Sequence, residues 1–148
     1  MAEINRQQLI LALIPAGVKP RLAGVDFTAL DMTRLDFEGA NMRAANLEVA
    51  TIREAILRSV NLSFANMQSV QAVGADFHGA NLTGVNLAGA NLSGARLSNA
   101  NLTNANLNSA NLQGALLSGA NVSGVKFDQN TTWPDGKKGN EGNPASYT

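Results

Sequence analysis

A five-residue period runs through most of this chain and constrains its fold more than any other feature of the sequence. From Pro20 to Gln129 the residues read as blocks of the type Ala-Asn-Leu-x-x, as in ANLTG at residues 80–84. Roughly 22 consecutive blocks fit this frame, and such repetition specifies stacked units that share one continuous core. A period of five fits neither a long helix nor a long strand, so the chain must turn after each short extended piece.

Each block carries one large apolar residue, here called the centre, and a smaller apolar residue two positions before it. Spacing by two places both side chains on the same side of an extended chain. Gly, Ser and Asn dominate the last position of the block, and these residues favour turns. The pattern therefore predicts a prism with the centre and the small residue inside and the polar residues outside. The centres are Leu22, Phe27, Met32, Phe37, Met42, Leu47, Ile52, Leu57, Leu62, Met67, Ala72, Phe77, Leu82, Leu87, Leu92, Leu97, Leu102, Leu107, Leu112, Leu117, Val122 and Phe127.

Asparagine is the commonest residue immediately before the centre, and aspartate replaces it at Asp26, Asp31, Asp36 and Asp76. Stacked amide side chains can form ladders of hydrogen bonds between neighbouring strands. We therefore expect these asparagines to be structural. They are Asn41, Asn46, Asn61, Asn66, Asn81, Asn86, Asn91, Asn101, Asn106, Asn111 and Asn121.

The unbroken frame resembles that of the pentapeptide-repeat family, and the match covers about three quarters of the chain. The resemblance implies an all-β solenoid, a right-handed quadrilateral β-helix with four blocks per coil. About 5.5 coils would then make a prism roughly 26 Å long at the spacing of β-strands. The ending Thr-x-Trp-Pro-Asp-Gly at residues 131–136 resembles the C-terminal segment of many cyanobacterial members of the family.

Residues 1–19 are expected to form an N-terminal helical cap over the first coil. Pro15 and Gly17 would end this short amphipathic helix. Its apolar residues recur at helical spacing, and they are Ile4, Leu9, Ile10 and Leu13.

Residues 20–129 form the predicted β-helix, and residues 130–148 form a C-terminal cap segment followed by a flexible tail. The sequence contains one tryptophan, Trp133, and we expect its large ring to plug the final coil. The alternative for Trp133 is an anchor for a partner, because tryptophan is common at interaction hot spots. Residues 137–148, which are rich in Gly and polar residues, are expected to be disordered.

Composition narrows the classes of partner. The formal net charge is zero, which argues against a general attraction to nucleic acid or to an anionic membrane. There is no cysteine, so neither a disulfide nor a thiolate metal site can form. The longest apolar run, residues 9–14, is too short to span a bilayer, and the residues before it lack the positive excess of a secretory signal.

The sequence offers no candidate for catalysis. The single histidine, His78, has no second histidine or cysteine with which to bind a metal. No serine stands in a recognisable arrangement with a histidine and a carboxylate, and no glycine-rich phosphate loop opens a helix. We therefore expect a protein that is not an enzyme, without cofactor, metal or small-molecule substrate.

Several residues break the polar rule of the predicted surface and form the candidate partner surface. Ile56 and Leu116 replace Asn or Asp at an outward position, and Phe64 stands where Gly or Ser is usual. Exposed apolar patches often mark contact surfaces, and charged residues give such contacts their specificity. The charged half of the repeat precedes His78 and supplies the arginines of this surface. The predicted contact residues are Arg43, Arg53, Arg58, Ile56, Phe64 and Trp133.

The leading hypothesis is a rigid interaction or scaffold module whose partner is another protein and which is a monomer or a weak dimer. Two alternatives come from the family resemblance. Some members imitate B-DNA and protect gyrase from quinolones, although those members have strongly acidic surfaces and this chain is neutral. The other alternative is a regulator of cyanobacterial differentiation or stress. A cytoplasmic location is expected, with export to the periplasm or the thylakoid lumen as the alternative.

Overall fold

A computed structural model describes residues 4–13 and 19–148 of the chain. One α-helix, α1, spans Arg6–Leu13, and two short 3-10 helices span Gly139–Glu141 and Pro144–Tyr147. From residue 19 to residue 138 the backbone forms no long strands. It forms instead a β-bridge of one residue followed by a turn in every block of five.

Between residues 21 and 126 each bridge joins a residue to the one twenty positions later, in parallel, so that four blocks complete one coil. This arrangement confirms the right-handed quadrilateral β-helix. The four sides of the prism are named here by their columns of bridged residues. Face 1 carries Arg21, Asn41, Asn61, Asn81, Asn101 and Asn121. Face 2 carries Asp26, Asn46, Asn66, Asn86, Asn106 and Lys126. Face 3 carries Asp31, Thr51, Gln71, Asn91, Asn111 and Thr132. Face 4 carries Asp36, Ile56, Asp76, Arg96 and Leu116.

Backbone hydrogen bonds between coils fix this period. The N–H of Leu62 donates to the carbonyl oxygen of Asn81 at 2.9 Å, and the N–H of Phe64 donates to that of Thr83 at 2.9 Å. In the reverse direction the N–H of Asn81 donates to the carbonyl oxygen of Val60 at 2.9 Å. The same three bonds recur block after block, and they satisfy backbone groups that would otherwise be left without partners.

A tight turn follows each centre, and its geometry explains the small residue at the end of each block. The third residue of the turn has a positive φ, which is the property of a type II turn and favours glycine. Gly84, Gly94 and their equivalents meet this need without strain. Val49 does not, because a β-branched side chain at a φ of 51° is crowded by its own backbone.

The centres and the residues two before them face inward, as the period predicts. Phe37, Phe77 and Leu87 are buried, and so are the alanines of the inner positions from Ala40 to Ala120. Large and small side chains alternate along the chain and fill a narrow interior. The small centre Ala72 is fully buried as well.

Helix α1 covers the lower end of the prism, as expected for the N-terminal cap. Leu9 is fully buried in the core, while Ile4 and Leu13 are partly buried against it. The guanidinium of Arg6 donates to the carbonyl oxygens of Asp31 and Thr33 at 2.8 and 2.9 Å, which ties the helix to the first coil. Ile10, expected on the apolar side, is partly exposed. The predicted helix end at Pro15 and Gly17 lies outside the described residues.

At the upper end the coil continues one block further than the sequence frame indicates. Thr132 forms a parallel bridge with Asn111, twenty-one residues earlier rather than twenty, so one extra residue is accommodated before it. The N–H of Leu112 donates to the carbonyl oxygen of Thr132 at 2.8 Å. Trp133 therefore stands at the centre of an additional block on face 3 and is completely buried. The sequence frame missed this block because the inserted residue shifts its register.

The segment predicted to be a flexible tail folds over the end of the coil, so that expectation is wrong. The chain reverses after Trp133, and Lys138 pairs antiparallel with Thr132 on the side away from Asn111. The Trp133 ring donates from Nε1 to the carbonyl oxygen of Gly139 at 2.7 Å and stacks on Tyr147 with ring centroids 5.8 Å apart. Packing of the two aromatic rings stabilises the folded form of this segment, although its composition is mostly polar.

Asp135 fastens this cap. Its carboxylate contacts the ammonium of Lys137 at 2.8 Å and accepts hydrogen bonds from the Lys137 N–H at 3.1 Å and the Tyr147 hydroxyl at 2.9 Å. The hydrogen bond from the Lys137 side chain is the main cause that lowers the pKa of Asp135 to about 2. A lowered folded pKa means that the stabilisation is present above the ordinary pKa of an aspartate, near 4, and is lost as the pH falls towards 2.

The strain at Val49 gives a first prediction. We expect Val49→Asn to raise the free energy of unfolding by about 1 kcal/mol, because asparagine tolerates a positive φ and a valine does not. The matched variant Gly94→Val should lower it by about 1–2 kcal/mol, since φ is 64° and open space surrounds the position where the new Cβ would lie. Thermal unfolding followed by circular dichroism measures both. A more stable Gly94→Val variant would contradict the strain argument.

The pKa of Asp135 gives a second prediction. At pH 6 the variant Asp135→Asn should unfold its C-terminal cap at a lower temperature than the wild type, and this difference should shrink as the pH falls from 4 to 2. The fluorescence of the single tryptophan, Trp133, measures the unfolding of the cap directly. Glu141→Gln is the control, since it removes another exposed carboxylate of the same segment. A difference between wild type and Asp135→Asn that is independent of pH would contradict the assignment.

Candidate functional site

The outward asparagines are occupied by structural hydrogen bonds. The side-chain oxygen of Asn81 accepts a hydrogen bond from the N–H of Thr83 at 3.1 Å, and this bond recurs in most blocks that carry an asparagine. On face 2 the amides also form the predicted ladder. Asn66, Asn86 and Asn106 each donate to the asparagine of the coil below at 3.1–3.2 Å. These groups therefore hold the turns and coils together rather than await a ligand.

Face 4 is the exception, because its column contains no asparagine. Two of its five positions carry aliphatic side chains, with Ile56 38% and Leu116 56% exposed. The remaining three are charged, namely Asp36, Asp76 and Arg96. Face 4 therefore carries apolar and charged side chains at the positions where the other faces carry asparagines. Exposed apolar side chains and arginines are common at protein contact surfaces.

A charge network lies between the two aliphatic residues of face 4. The Asp76 carboxylate accepts a hydrogen bond from Nε of Arg58 at 2.7 Å, and Nη1 of Arg96 lies 3.9 Å from it. The carboxylate also accepts the N–H of His78 at 3.1 Å. Partial burial works to raise the pKa of Asp76, but the hydrogen bonds and the two guanidinium charges outweigh it and the pKa is lowered. The aspartate is therefore ionised at neutral pH and orients two half-exposed arginines.

The residues predicted from the sequence to form one partner surface are divided among the faces. Ile56 and Arg58 lie together on face 4, since both belong to the block of residues 55–59. Arg53 belongs to face 3, on the neighbouring block of the same coil. Arg43 and Phe64 belong to face 1 and contact each other, with the guanidinium carbon 5.7 Å from the ring centroid. The structure therefore does not bring the three arginines together.

Phe64 forms a smaller exposed feature at the edge of face 1. Its side chain is 58% exposed and lies over Gly84, where an added Cβ would come within 2.7 Å of the ring. Gly84 thus provides the space in which the ring rests. The cation–π contact with Arg43 holds the other side of the ring and contributes about 0.5–1 kcal/mol at such an exposed site.

Trp133 cannot serve as an exposed anchor for a partner, so that alternative is wrong. Its ring is completely buried between Phe127, which meets it edge-on with centroids 5.1 Å apart, and Tyr147, which stacks on it. Its only polar atom donates to Gly139. The tryptophan belongs to the folded cap, in the role expected of a plug for the final coil.

Face 4 also contains contact candidates that the sequence reasoning did not include among its partner residues. Arg96 and Asp76 share its column with Ile56 and Leu116, and His78 is exposed beside them. The signal was available in the sequence, because positions twenty apart can be compared once the coil length is known. Arranged in this way, one column in four has lost its asparagines.

Within residues 4–13 and 19–148, no group of three or more His, Asp and Glu side chains is placed to hold a metal ion. Every buried side-chain nitrogen or oxygen in the same residues has a hydrogen-bond partner. In this described portion of the chain, no helix is long and apolar enough to cross a membrane.

Comparison with known structures agrees with this architecture. The chain is similar to the pentapeptide-repeat protein Rfr23 from the cyanobacterium Cyanothece 51142, at 30% identity over 74% of this chain and 88% of that one, with a TM-score of 0.73. It is also similar to a pentapeptide-repeat protein of the Arabidopsis thaliana thylakoid lumen, at 32% identity over 78% and 71% of the two chains, with a TM-score of 0.50.

A third similar structure is that of QnrB1, a plasmid-mediated fluoroquinolone resistance protein. The identity is 25% over 76% of this chain and 65% of that one, with a TM-score of 0.54. No curated protein sequence matches the chain. The family model described as pentapeptide repeats matches residues 21–58, 61–99 and 95–129. On that match and the coil geometry, the chain belongs to the pentapeptide-repeat family.

Proposed function

We propose that this protein is a rigid, non-enzymatic interaction module that binds another protein through face 4. The observation that carries the proposal is the complete replacement of asparagine in that column by aliphatic and charged residues. At Ile56, Arg96 and Leu116 the replacement gives up a hydrogen bond of the type that holds the turns on face 1 and face 2. Asp36 and Asp76 retain that bond, because their carboxylates accept the N–H groups two residues later. Face 4 thus exchanges this interaction at three of its five positions for two exposed aliphatic side chains and an arginine, which a partner can contact.

The layout of face 4 suits a protein partner. Its apolar residues, Ile56 and Leu116, stand three coils apart, roughly 14 Å at the spacing of β-strands. Between them lie Arg58 and Arg96, both held by Asp76. Arginine is enriched at interaction hot spots, and guanidinium groups that are already oriented lose little entropy on binding. The combination provides affinity at two apolar positions and specificity from the charges between them.

The rigid backbone strengthens this argument. Every coil is bonded to the next through the backbone, so the side chains of face 4 keep fixed spacings before a partner arrives. Preorganisation lowers the cost of binding because few side chains and no loops must be ordered. A partner can therefore recognise the spacing itself as well as the residues.

The test is recovery of protein partners from lysate of the source organism, comparing the wild type with the double variant Ile56→Asn, Leu116→Asn. Both changes install the residue that the repeat uses on its other faces, so the fold should be kept. We expect recovery of the partner to fall at least tenfold, because each apolar residue at a contact centre contributes about 1–2 kcal/mol. The control is Val49→Asn, which removes a comparable exposed side chain from face 2. Equal recovery by the double variant and the control would contradict the role of face 4.

A second candidate function is modulation of gyrase, and the similarity to the fluoroquinolone resistance protein QnrB1 favours considering it. The low density of negative charge on the surface argues against imitation of DNA. The formal net charge is zero, and Arg96 is the only charged residue between Gly79 and Val125. DNA presents one negative charge for about every 1.7 Å of its axis, and nothing on this prism approaches that density.

We therefore expect no inhibition of gyrase supercoiling, and no protection from a fluoroquinolone, at micromolar concentrations of this protein. The assay is relaxation and supercoiling of a plasmid by purified gyrase with increasing amounts of the protein. Inhibition at those concentrations would favour the gyrase function. Inhibition that survived the Ile56→Asn, Leu116→Asn double variant would place it on a different surface from face 4.

A further inference from the structure

At the upper end of the β-helix, the bridge ladder is continued over face 3 and stops over the other three faces. Over face 3 the strand residue Lys138 pairs with Thr132 and continues the hydrogen bonding beyond the last block. Over face 1 no later residue pairs with Asn121, although every bridged residue of face 1 below it has a partner in the next coil. The last block of face 1, residues 120–124, is therefore a free edge.

This free edge presents a defined set of unused backbone groups. One coil below, the N–H of Leu102 donates to Asn121 at 2.8 Å, and the N–H of Asn104 donates to Ser123 at 2.9 Å. The equivalent donors of the last block are the N–H groups of Val122 and Gly124, and the equivalent acceptor is the carbonyl oxygen of Ala120. Within the described residues none of these three groups has a hydrogen-bond partner, and the same is true of the N–H groups of Leu117 and Gly119 and the carbonyl oxygen of Ala115 on face 4.

A groove lies where the missing block would fit. Its volume is about 450 Å³, within the range of ligand sites in proteins. Residues 120–125 and Phe127 line one side, while residues 143–145 and Thr148 of the folded C-terminal segment line the other. The C-terminal segment thus serves as a wall that leaves a channel along the free edge.

The lining of the groove indicates what can occupy it. None of the side chains that line it is charged. Val122, the last centre of face 1, is only partly buried, whereas Leu102 below it is fully covered. An occupant that supplies a further aliphatic centre would cover Val122 in the same way. The site therefore suits an uncharged segment with a small residue and an aliphatic residue two positions apart.

We propose that this free edge binds an extended peptide segment of a protein partner, which adds to face 1 as the first block of a further coil. The peptide would accept hydrogen bonds from Val122 and Gly124 through two carbonyl oxygens and donate one N–H to Ala120. Its aliphatic side chain would rest on Val122. Strand addition to an exposed edge is a recurrent mode of peptide recognition, with affinity from the backbone and specificity from alternate side chains.

A peptide fits this site better than the end of a second copy of the chain. The end of the prism is not flat, because the strand at Lys138 and the stacked rings of Trp133 and Tyr147 occupy the level above face 3. A second prism could not lie against all four faces at once. A single extended segment needs only the channel between residues 120–125 and residues 143–148. This site is separate from face 4, so the inference goes beyond the function proposed above.

The probe is a fluorescein-labelled peptide that copies residues 79–85, GANLTGV, from the chain itself. We expect saturable binding in fluorescence anisotropy. Shifts in the amide NMR signals should be confined to residues 120–125 and 143–148, and the amide protons of Val122 and Gly124 should gain protection from exchange. A control peptide in which the leucine is replaced by aspartate should bind at least tenfold more weakly, because its charge would lie on Val122.

Two variants of the protein complete the test. Ala145→Phe fills the groove from an exposed position of the wall, and Val122→Asp places a charge on the free edge; each should weaken peptide binding at least tenfold. Trp133 fluorescence checks the fold, and if Val122→Asp unfolds, Ala145→Phe carries the test. The Ile56→Asn, Leu116→Asn double variant should bind the peptide as the wild type does, which separates this site from face 4.

Three outcomes would overturn the proposal. The first is the absence of saturable binding up to millimolar peptide. The second is binding that Ala145→Phe leaves unchanged, which would place the peptide elsewhere. The third is a concentration-dependent dimer of the wild type, seen by light scattering, that Ala145→Phe abolishes and the peptide does not compete with. That result would assign the edge to contacts between copies of this chain.

Discussion

The hydrogen bond from the N–H of each centre between Leu22 and Leu107 to a carbonyl oxygen nineteen residues later is the interaction on which the rest of this structure depends. It sets the coil at twenty residues, so that positions twenty apart lie directly above one another. Stacking of like positions then gives the core its layers of large and small side chains. It also arranges the outward side chains in columns. The side chains of one column can be substituted without altering the other three faces.

The backbone supplies the bonds between coils, so the side chains at outward positions can vary without breaking the coil. Replacing an asparagine there loses only the hydrogen bonds that its own side chain makes. Asparagine is retained where its oxygen caps the N–H two residues later and where its amide joins the ladder of face 2. Face 4 gives up these contributions for Ile56, Arg96 and Leu116. The same logic explains the turns, in which Val49 is tolerated despite its strain because the surrounding bonds hold the backbone in place.

The repeat leaves an unpaired backbone edge at each end of the prism. An open edge of this kind promotes association with other chains. Helix α1 covers the lower end with Leu9, and the reversed C-terminal segment covers face 3 with Lys138 and the aromatic rings. The bridge ladder is not continued over faces 1, 2 and 4, and over face 1 three unpaired backbone groups and a groove remain. The protein therefore offers two different kinds of surface, a patterned side and a partly open end.

The five-residue frame was enough to predict a prism with its inward and outward positions, and the spacing of apolar residues predicted the helical cap at the lower end. The four-sided β-helix was implied by the resemblance to the pentapeptide-repeat family. A period of five with two apolar positions can be satisfied in few ways, and every block repeats the same local information. The separation of Arg43, Arg53 and Arg58 onto different faces follows once positions twenty apart in the sequence are compared. The folded structure was needed to show that Trp133 is a further centre and that residues 139–147 are folded. These two outcomes depend on contacts between residues distant in sequence, because the ring of Tyr147 has no partner until the chain reverses over Trp133.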